Sequence, residues 1–122
     1  MKLEYLEKAI KSNFILTCRV DRSLTGAKVG EEMWPLYIFC GLAREYDCGW
    51  KEIADYLGYF VEEVKEFYEN SRTMRTKYIL AKIKNKKSNM LIEAYTTKYN
   101  LVRSSVSYLT KPIINEFNIY QR

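Results

Sequence analysis

The stretch from Trp50 to Ser71 constrains the fold most strongly, because its spacing is typical of two helices joined by a tight turn. Gly58 stands where a helix-ending turn favours a residue that tolerates a positive φ. Ala54 is small enough to let the two helices cross closely. The expected inner-facing residues recur at helical spacing on both sides of this glycine: Ile53, Ala54, Leu57, Val64 and Phe67. The stretch therefore predicts a helix-turn-helix.

The rest of the chain also shows helical spacing, interrupted by polar segments such as Asp21–Gly30. Pro112 is expected either to kink the last helix or to end it at Lys111. The predicted helices are Leu3–Ser12, Glu32–Tyr46, Lys51–Leu57, Val61–Asn70, Met74–Lys84, Met90–Lys98 and Arg103–Lys111. The predicted fold is an all-α, compact helical bundle that contains the helix-turn-helix.

The apolar pattern of the helix-turn-helix recurs further along the chain. Asn100 takes the place of Gly58, and asparagine is the next-best residue for a left-handed turn. This repeat predicts two tandem tri-helical units, Glu32–Ser71 and Met74 to about Lys111. The predicted domains are accordingly a helix-turn-helix unit over residues 1–71 and a basic helical unit over residues 72–122. The alternative is a plain series of amphipathic helices, since a heptad seam is also fitted by Tyr95, Tyr99, Val102, Val106, Leu109 and Ile113.

Composition excludes several functional classes. The 122 residues include no histidine, which removes His-based catalysis, and the three cysteines do not form a four-ligand zinc cluster. Without a nucleophile–base pair or a Gly-rich phosphate loop, we expect neither enzymatic activity nor a metal or cofactor. The cysteines are expected to be reduced thiols. No signal peptide or membrane-spanning run is visible, so we expect a cytoplasmic protein with no membrane partner.

From Leu6 to about Ser71 the order of features resembles the C-terminal DNA-binding domain of the bacterial replication initiator DnaA, a Trp-repressor-like helix-turn-helix domain. The matching residues are Ile10, Asn13-Phe14-Ile15, Arg22 and Lys28 in a basic loop, Leu42–Glu45, Lys51–Ala54 and Leu57-Gly58. The family reads DNA with an Asp-His-Thr-Thr-Val string, and only Val64 matches it here. The resemblance thus implies the fold more directly than the family's DNA site.

Charge is strongly divided along the chain. Eight acidic residues lie between Glu45 and Glu69, against two lysines, whereas the segment from Arg72 to Ile92 is purely basic. Acids on the second helix of the helix-turn-helix would be repelled by DNA phosphates. We therefore expect the phosphate contacts to come from the basic segment. Its charged residues are Arg72, Arg75, Lys77, Lys82, Lys84, Lys86 and Lys87.

Small hydrogen-bond donors and cations on the predicted last helix suit a major groove. The expected base-reading residues are Arg103, Ser104, Ser105, Ser107, Tyr108 and Lys111. The expected partner is double-stranded DNA, for an accessory regulator of replication or transcription, with a phage or a mobile element as one candidate source. For the basic segment the ordinary alternative is a solvated cationic face that binds no ligand. For Arg103–Lys111 it is a polar helix surface.

A protein-interaction module is the competing class. The acidic helix Val61–Asn70 could dock a basic partner, or it could meet the basic segment of a second copy to form a homodimer. Steep salt dependence of DNA binding would distinguish the two classes, because only phosphate contacts release counterions.

Overall fold

A computed structural model describes residues 2–14 and 33–121, with side chains described for 2–14 and 33–107. The described residues form helices and no strand, which confirms the all-α prediction. The predicted loop Asp21–Gly30, with Arg22 and Lys28, lies outside the described residues. The helices are α1 (Leu3–Asn13), α2 (Trp34–Glu45), α3 (Trp50–Leu57), α4 (Val61–Ile83) and α5 (Met90–Gln121).

The predicted helix-turn-helix is formed by α3, Gly58 and the start of α4. Gly58 has φ of +77°, in the left-handed region. The N–H groups of Gly58 and Tyr59 both donate to the carbonyl of Ala54, at 2.8 and 3.1 Å, which is the bond pattern of a glycine-ended helix. The ring of Tyr59 then packs edge-on against Phe67, with 5.1 Å between centroids. The turn prediction is confirmed.

Helix α2 lies at the centre of the molecule. Nine of its residues are buried, and α1, α3, α4 and α5 pack around it. Cys40 and Cys48 are buried free thiols, as predicted, while Cys18 lies outside the described part of the chain. The predicted boundary between residues 71 and 72 falls inside α4. Residues from both sides of it share one hydrophobic core, so the described residues do not divide into the two predicted units.

The predicted second helix-turn-helix is wrong. Asn100 and Leu101 lie inside α5, which continues without a turn from Met90 to Gln121 and so also passes through Pro112. Up to residue 107, where the description of side chains ends, the buried residues of this helix are Tyr95, Thr96, Tyr99, Val102 and Val106. Four of them lie at spacings of four, three and four residues, so one seam packs continuously against the body. The heptad alternative therefore describes this segment. Asparagine tolerates a left-handed turn but does not impose one, so Asn100 can remain within the helix.

Helix α4 is also longer than predicted. The expected break between Asn70 and Met74 is absent, and the helix runs over 23 residues. No glycine or proline interrupts it, and Ser71 is fully buried against its neighbours. Its second half lies beside the beginning of α5. Among the described residues, no helix combines the length and apolar character needed to cross a membrane.

Candidate nucleic-acid interface

The second helix of the helix-turn-helix presents an anionic surface. Glu62, Glu66 and Glu69 are exposed on the first half of α4, where Lys65 supplies the one cation between residues 61 and 70. Glu63 turns back to cap the helix and accepts a hydrogen bond from the N–H of Phe60 at 3.0 Å. In DNA-binding proteins of this type, the corresponding helix enters the major groove. Here its carboxylates would face the phosphates.

The end of α4 and the turn that leads to α5 carry the densest group of exposed lysines in the described chain. We call four of them the lysine tip: Lys82, Lys84, Lys86 and Lys87, all exposed. Lys82 lies in the last turn of α4, with its Nζ 5.3 Å from the centre of the Tyr78 ring. Asn85 follows the cap of α4, Lys84, and has φ of +54°, and the N–H of Lys86 donates to the carbonyl of Ala81 at 2.8 Å. Asn89 then caps α5 by accepting a hydrogen bond from Leu91 N–H at 2.7 Å. Two capped helix ends thus hold the lysines in a short, defined turn.

The lysine tip lies in a stretch of the chain that carries only positive charges, from Arg72 to Ile92. The nearest acids along the chain are Glu69 and Glu93, and exposed Lys77 extends the charge back along α4. Part of this charge also stabilises the fold, since cations near the C-terminus of α4 interact favourably with the helix dipole. The field of several clustered cations attracts polyanions and is weakened by salt.

Two predicted DNA-binding arginines are occupied within the fold instead. Arg103 donates from Nη2 to Glu45 Oε1 at 2.7 Å, and Arg75 donates from Nη1 to the same oxygen at 3.3 Å. The hydroxyl of Tyr99 also donates to this oxygen, at 2.8 Å. These bonds join α2, α4 and α5 at one carboxylate. They leave Arg75 and Arg103 less available to a partner than the lysines.

Burial alone would raise the pKa of Glu45, but this effect is outweighed. Hydrogen bonds from Arg103 and Tyr99, with the charges of Arg103 and Arg75, lower the pKa of Glu45 below its ordinary value of 4.5. The hydrogen bond to Glu45 in turn raises the pKa of Arg103. The group is therefore charged and paired at neutral pH.

A buried polar layer lies beneath this carboxylate. Tyr95 donates its hydroxyl to Ser71 Oγ at 2.6 Å, and Arg75 Nε lies 3.2 Å from the same oxygen. A Cβ on Gly41 would lie 2.7 Å from Ser71 Oγ and 2.9 Å from the Tyr99 ring, so the close crossing of α2 with α4 and α5 requires glycine. Sequence reasoning missed this layer. Its one local signal was a glycine in the middle of a strongly apolar helix.

The remaining predicted base-reading residues do not form one surface. Ser105 accepts a hydrogen bond from Asn13 Nδ2 at 2.9 Å, which ties α5 to α1. Ser104 and Ser107 are exposed, and Ser107 has a partner within the fold. Tyr108 and Lys111 lie beyond the residues whose side chains are described. Arg72 is exposed and lies 3.5 Å from Glu69 in a surface ion pair.

Large apolar side chains are exposed next to the lysine tip. Ile83 is 74% exposed and Met90 is 85% exposed, while Ile79, Leu80 and Leu91 are each about half exposed. Single exposed apolar residues need no explanation, but a contiguous group of them marks an interaction surface. The tip is thus both cationic and apolar.

Comparison with known proteins gives no match for this chain, whether with family models, curated sequences or solved structures.

Proposed function

We propose that the protein binds double-stranded DNA through phosphate contacts made by the lysine tip. The observation that carries this proposal is the exposure of four lysines at the end of α4 and on the short turn that follows it, with no acid between residues 70 and 92. Such contacts supply most of the sequence-independent affinity for DNA. The role that fits such binding is that of an accessory regulator of replication or transcription, as the resemblance to DnaA implies.

In this proposal the helix-turn-helix supports the lysine tip and does not enter the groove. Glu62, Glu66 and Glu69 make the usual recognition surface repulsive to phosphates. The same helix, α4, begins at the helix-turn-helix and ends at the tip, so the packed first half fixes the direction in which the second half leaves the body. The tip is then presented on a rigid element.

The test is the salt dependence of binding to random-sequence duplex DNA, measured by fluorescence anisotropy. Replacing Lys82, Lys86 and Lys87 by glutamine should weaken binding and flatten the slope of log K against log salt by roughly 3, at about 0.9 per lost phosphate contact. Lys84 is retained in this variant because it flanks the exposed apolar residues of α4.

The matched control removes three exposed lysines elsewhere: Lys2, Lys8 and Lys51 become glutamine, which lowers the net charge by the same amount. This control should keep the wild-type slope. Equal slopes for the two triple variants would overturn the proposal, since binding would then follow net charge and not the tip. Absence of binding at low salt would overturn it as well.

The exposed apolar residues favour a second candidate, a protein-interaction module without DNA binding. Ile79, Leu80 and Ile83 would anchor a partner, and the flanking lysines would steer it. In that case replacing Leu80 and Ile83 by serine would abolish complex formation, and the DNA titration would show no salt-dependent binding.

A further inference from the structure

We propose that two copies of this chain pair through the outer faces of their α4 helices, antiparallel, with the two-fold axis at Thr73. The proposal does not depend on DNA binding. It rests on the order of charges along one face of α4 and on the exposure of that face.

The residues of this face follow the spacing of a single helical stripe. Counted from Thr73, Glu69 and Lys77 lie four residues away on either side, Glu66 and Leu80 lie seven away, and Glu62 and Lys84 lie eleven away. Offsets of four, seven and eleven residues keep side chains on one side of an α-helix. We call this row the α4 stripe. It comprises six residues of α4 and the residue that caps its C-terminal end: Glu62, Glu66, Glu69, Thr73, Lys77, Leu80 and the cap, Lys84.

The α4 stripe is complementary to itself when it is reversed. In an antiparallel pair centred on Thr73, Glu62 lies opposite the partner's Lys84 and Glu69 lies opposite the partner's Lys77. Glu66 lies opposite the partner's Leu80, between those two lysines. A two-fold axis repeats every such contact, as in an isologous interface. The parallel arrangement would instead set acid against acid and lysine against lysine.

The members of the stripe are available for this pairing. All seven are exposed, and Glu62, Glu66, Lys77 and Lys84 form no ion pair with another described residue. Glu69 lies 3.5 Å from Arg72, but both side chains are at least 60% exposed, so this contact holds Glu69 only weakly.

The apolar part of the surface fits the same arrangement. Leu80 is 47% exposed and Ile83 is 74% exposed on the second half of α4. In the proposed register Leu80 lies opposite the partner's Glu66, and Ile83 lies opposite the partner's Glu63, about one helical turn from the partner's Phe60, which is 71% exposed. Pairing would therefore cover apolar surface at both ends of the contact, in addition to satisfying the charges.

A second copy fits the α4 stripe better than an anionic lipid surface does. Lipid headgroups would attract Lys77 and Lys84 but would repel Glu62, Glu66 and Glu69 on the same face. Only a partner with the opposite charge order satisfies both halves, and the chain itself carries that order.

The first experiment exchanges the charges in two variants, Glu62→Lys with Glu69→Lys and Lys77→Glu with Lys84→Glu. Light scattering at low salt should give twice the 14.5 kDa chain mass for the wild type. It should give the chain mass for each variant alone, because each would place like charges opposite one another. An equimolar mixture of the variants should return to the dimer mass, since all four contacts per dimer are then complementary.

A matched control carries the same charge change off the stripe, with Glu4→Lys and Asp55→Lys, and should remain dimeric. Circular dichroism checks that every variant keeps its helices. A monomeric wild type, or a mixture that stays monomeric, would overturn the proposal. The proposal would also be overturned if the wild type were monomeric, sedimented with phosphatidylserine vesicles, and lost this binding in the variant with Leu80→Ser and Ile83→Ser.

The second experiment locates the axis. In a Cys18→Ser background, Thr73→Cys should form an intermolecular disulfide on mild oxidation, because a residue on a two-fold axis meets its own copy within disulfide distance. Thr97→Cys, exposed on α5, should not cross-link under the same conditions. A head-to-tail association would leave Thr73→Cys uncross-linked and would give masses above the dimer, which would overturn the two-fold arrangement.

Discussion

Glu45 is the residue at which three helices meet. It ends α2, and it accepts hydrogen bonds from Arg75 on α4 and from Tyr99 and Arg103 on α5. About one third of its side chain is exposed, so solvent screens these charges in part. The acidic segment and the basic segment of the sequence are therefore connected at this carboxylate, in addition to the more exposed ion pair of Glu69 with Arg72.

Replacing Glu45 by glutamine should destabilise the protein by on the order of 1 kcal/mol at neutral pH, through the loss of charge-assisted hydrogen bonds with partial screening. Because the folded-state pKa of Glu45 lies below its ordinary value of 4.5, the stabilisation is fully present above pH 4.5 and is lost as the pH falls further. Urea unfolding should therefore give wild-type and Glu45→Gln curves that converge in acid. A difference that stayed constant from neutral to acidic pH would contradict this role.

At the residue scale, the sequence predicts turns better than polar contacts. The left-handed position of Gly58 follows from local rules, because few residues tolerate a positive φ. The Ser71–Tyr95 hydrogen bond and the close approach at Gly41 depend on which helices cross, and on where along their lengths. No local rule gives that crossing, so Arg103 is assigned from sequence to DNA when it instead binds Glu45.

At the scale of elements, α3 and α4 show how a turn fixes a helix pair. A Cβ on Gly58 would meet no atom within 4 Å, so only the backbone conformation opposes substitution there. Gly49, at the start of α3, also has open space around it, but its φ of −72° suits any residue. Backbone conformation alone therefore requires glycine at position 58, whereas neither backbone conformation nor crowding requires it at position 49.

Gly58→Val should lower the free energy of unfolding by more than ~1 kcal/mol, because a β-branched residue is strained at a positive φ. Gly49→Ser should change it by less than roughly 0.5 kcal/mol, since serine is a favoured helix N-cap. Thermal or denaturant unfolding of both variants beside the wild type measures the difference. Equal stabilities for Gly58→Val and the wild type would refute the assigned turn.

The sequence predicts two shorter helices in place of each of α4 and α5. The apolar pattern weakens around Ser71–Thr73 and at Asn100-Leu101, yet neither place contains glycine or proline. Tertiary packing decides such cases: Ser71 and the seam from Tyr95 to Val106 are buried against other helices. The sequence thus predicts that these segments are helical, but it does not predict how long each helix is.

At the scale of the whole molecule, the two proposals together fix the distance between the two lysine tips of a dimer. Lys84 lies eleven residues beyond Thr73, or ~16 Å along α4, so an antiparallel pair would place its two lysine tips ~33 Å apart. One turn of B-form DNA measures about 34–36 Å. A dimer of this form would present its cations to phosphates one helical turn apart on the same duplex.

DNA hairpins with stems of about six and about sixteen base pairs would test this spacing, since only the longer stem spans both tips. With Lys77 and Lys84 engaged in the dimer, each tip offers Lys82, Lys86 and Lys87. The slope of log K against log salt should then be roughly −3 on the short stem and roughly −5 on the long one. The variant lacking those three lysines should show shallow slopes on both. Equal wild-type slopes on the two stems, beside an intact dimer, would show that the tips do not engage one duplex together.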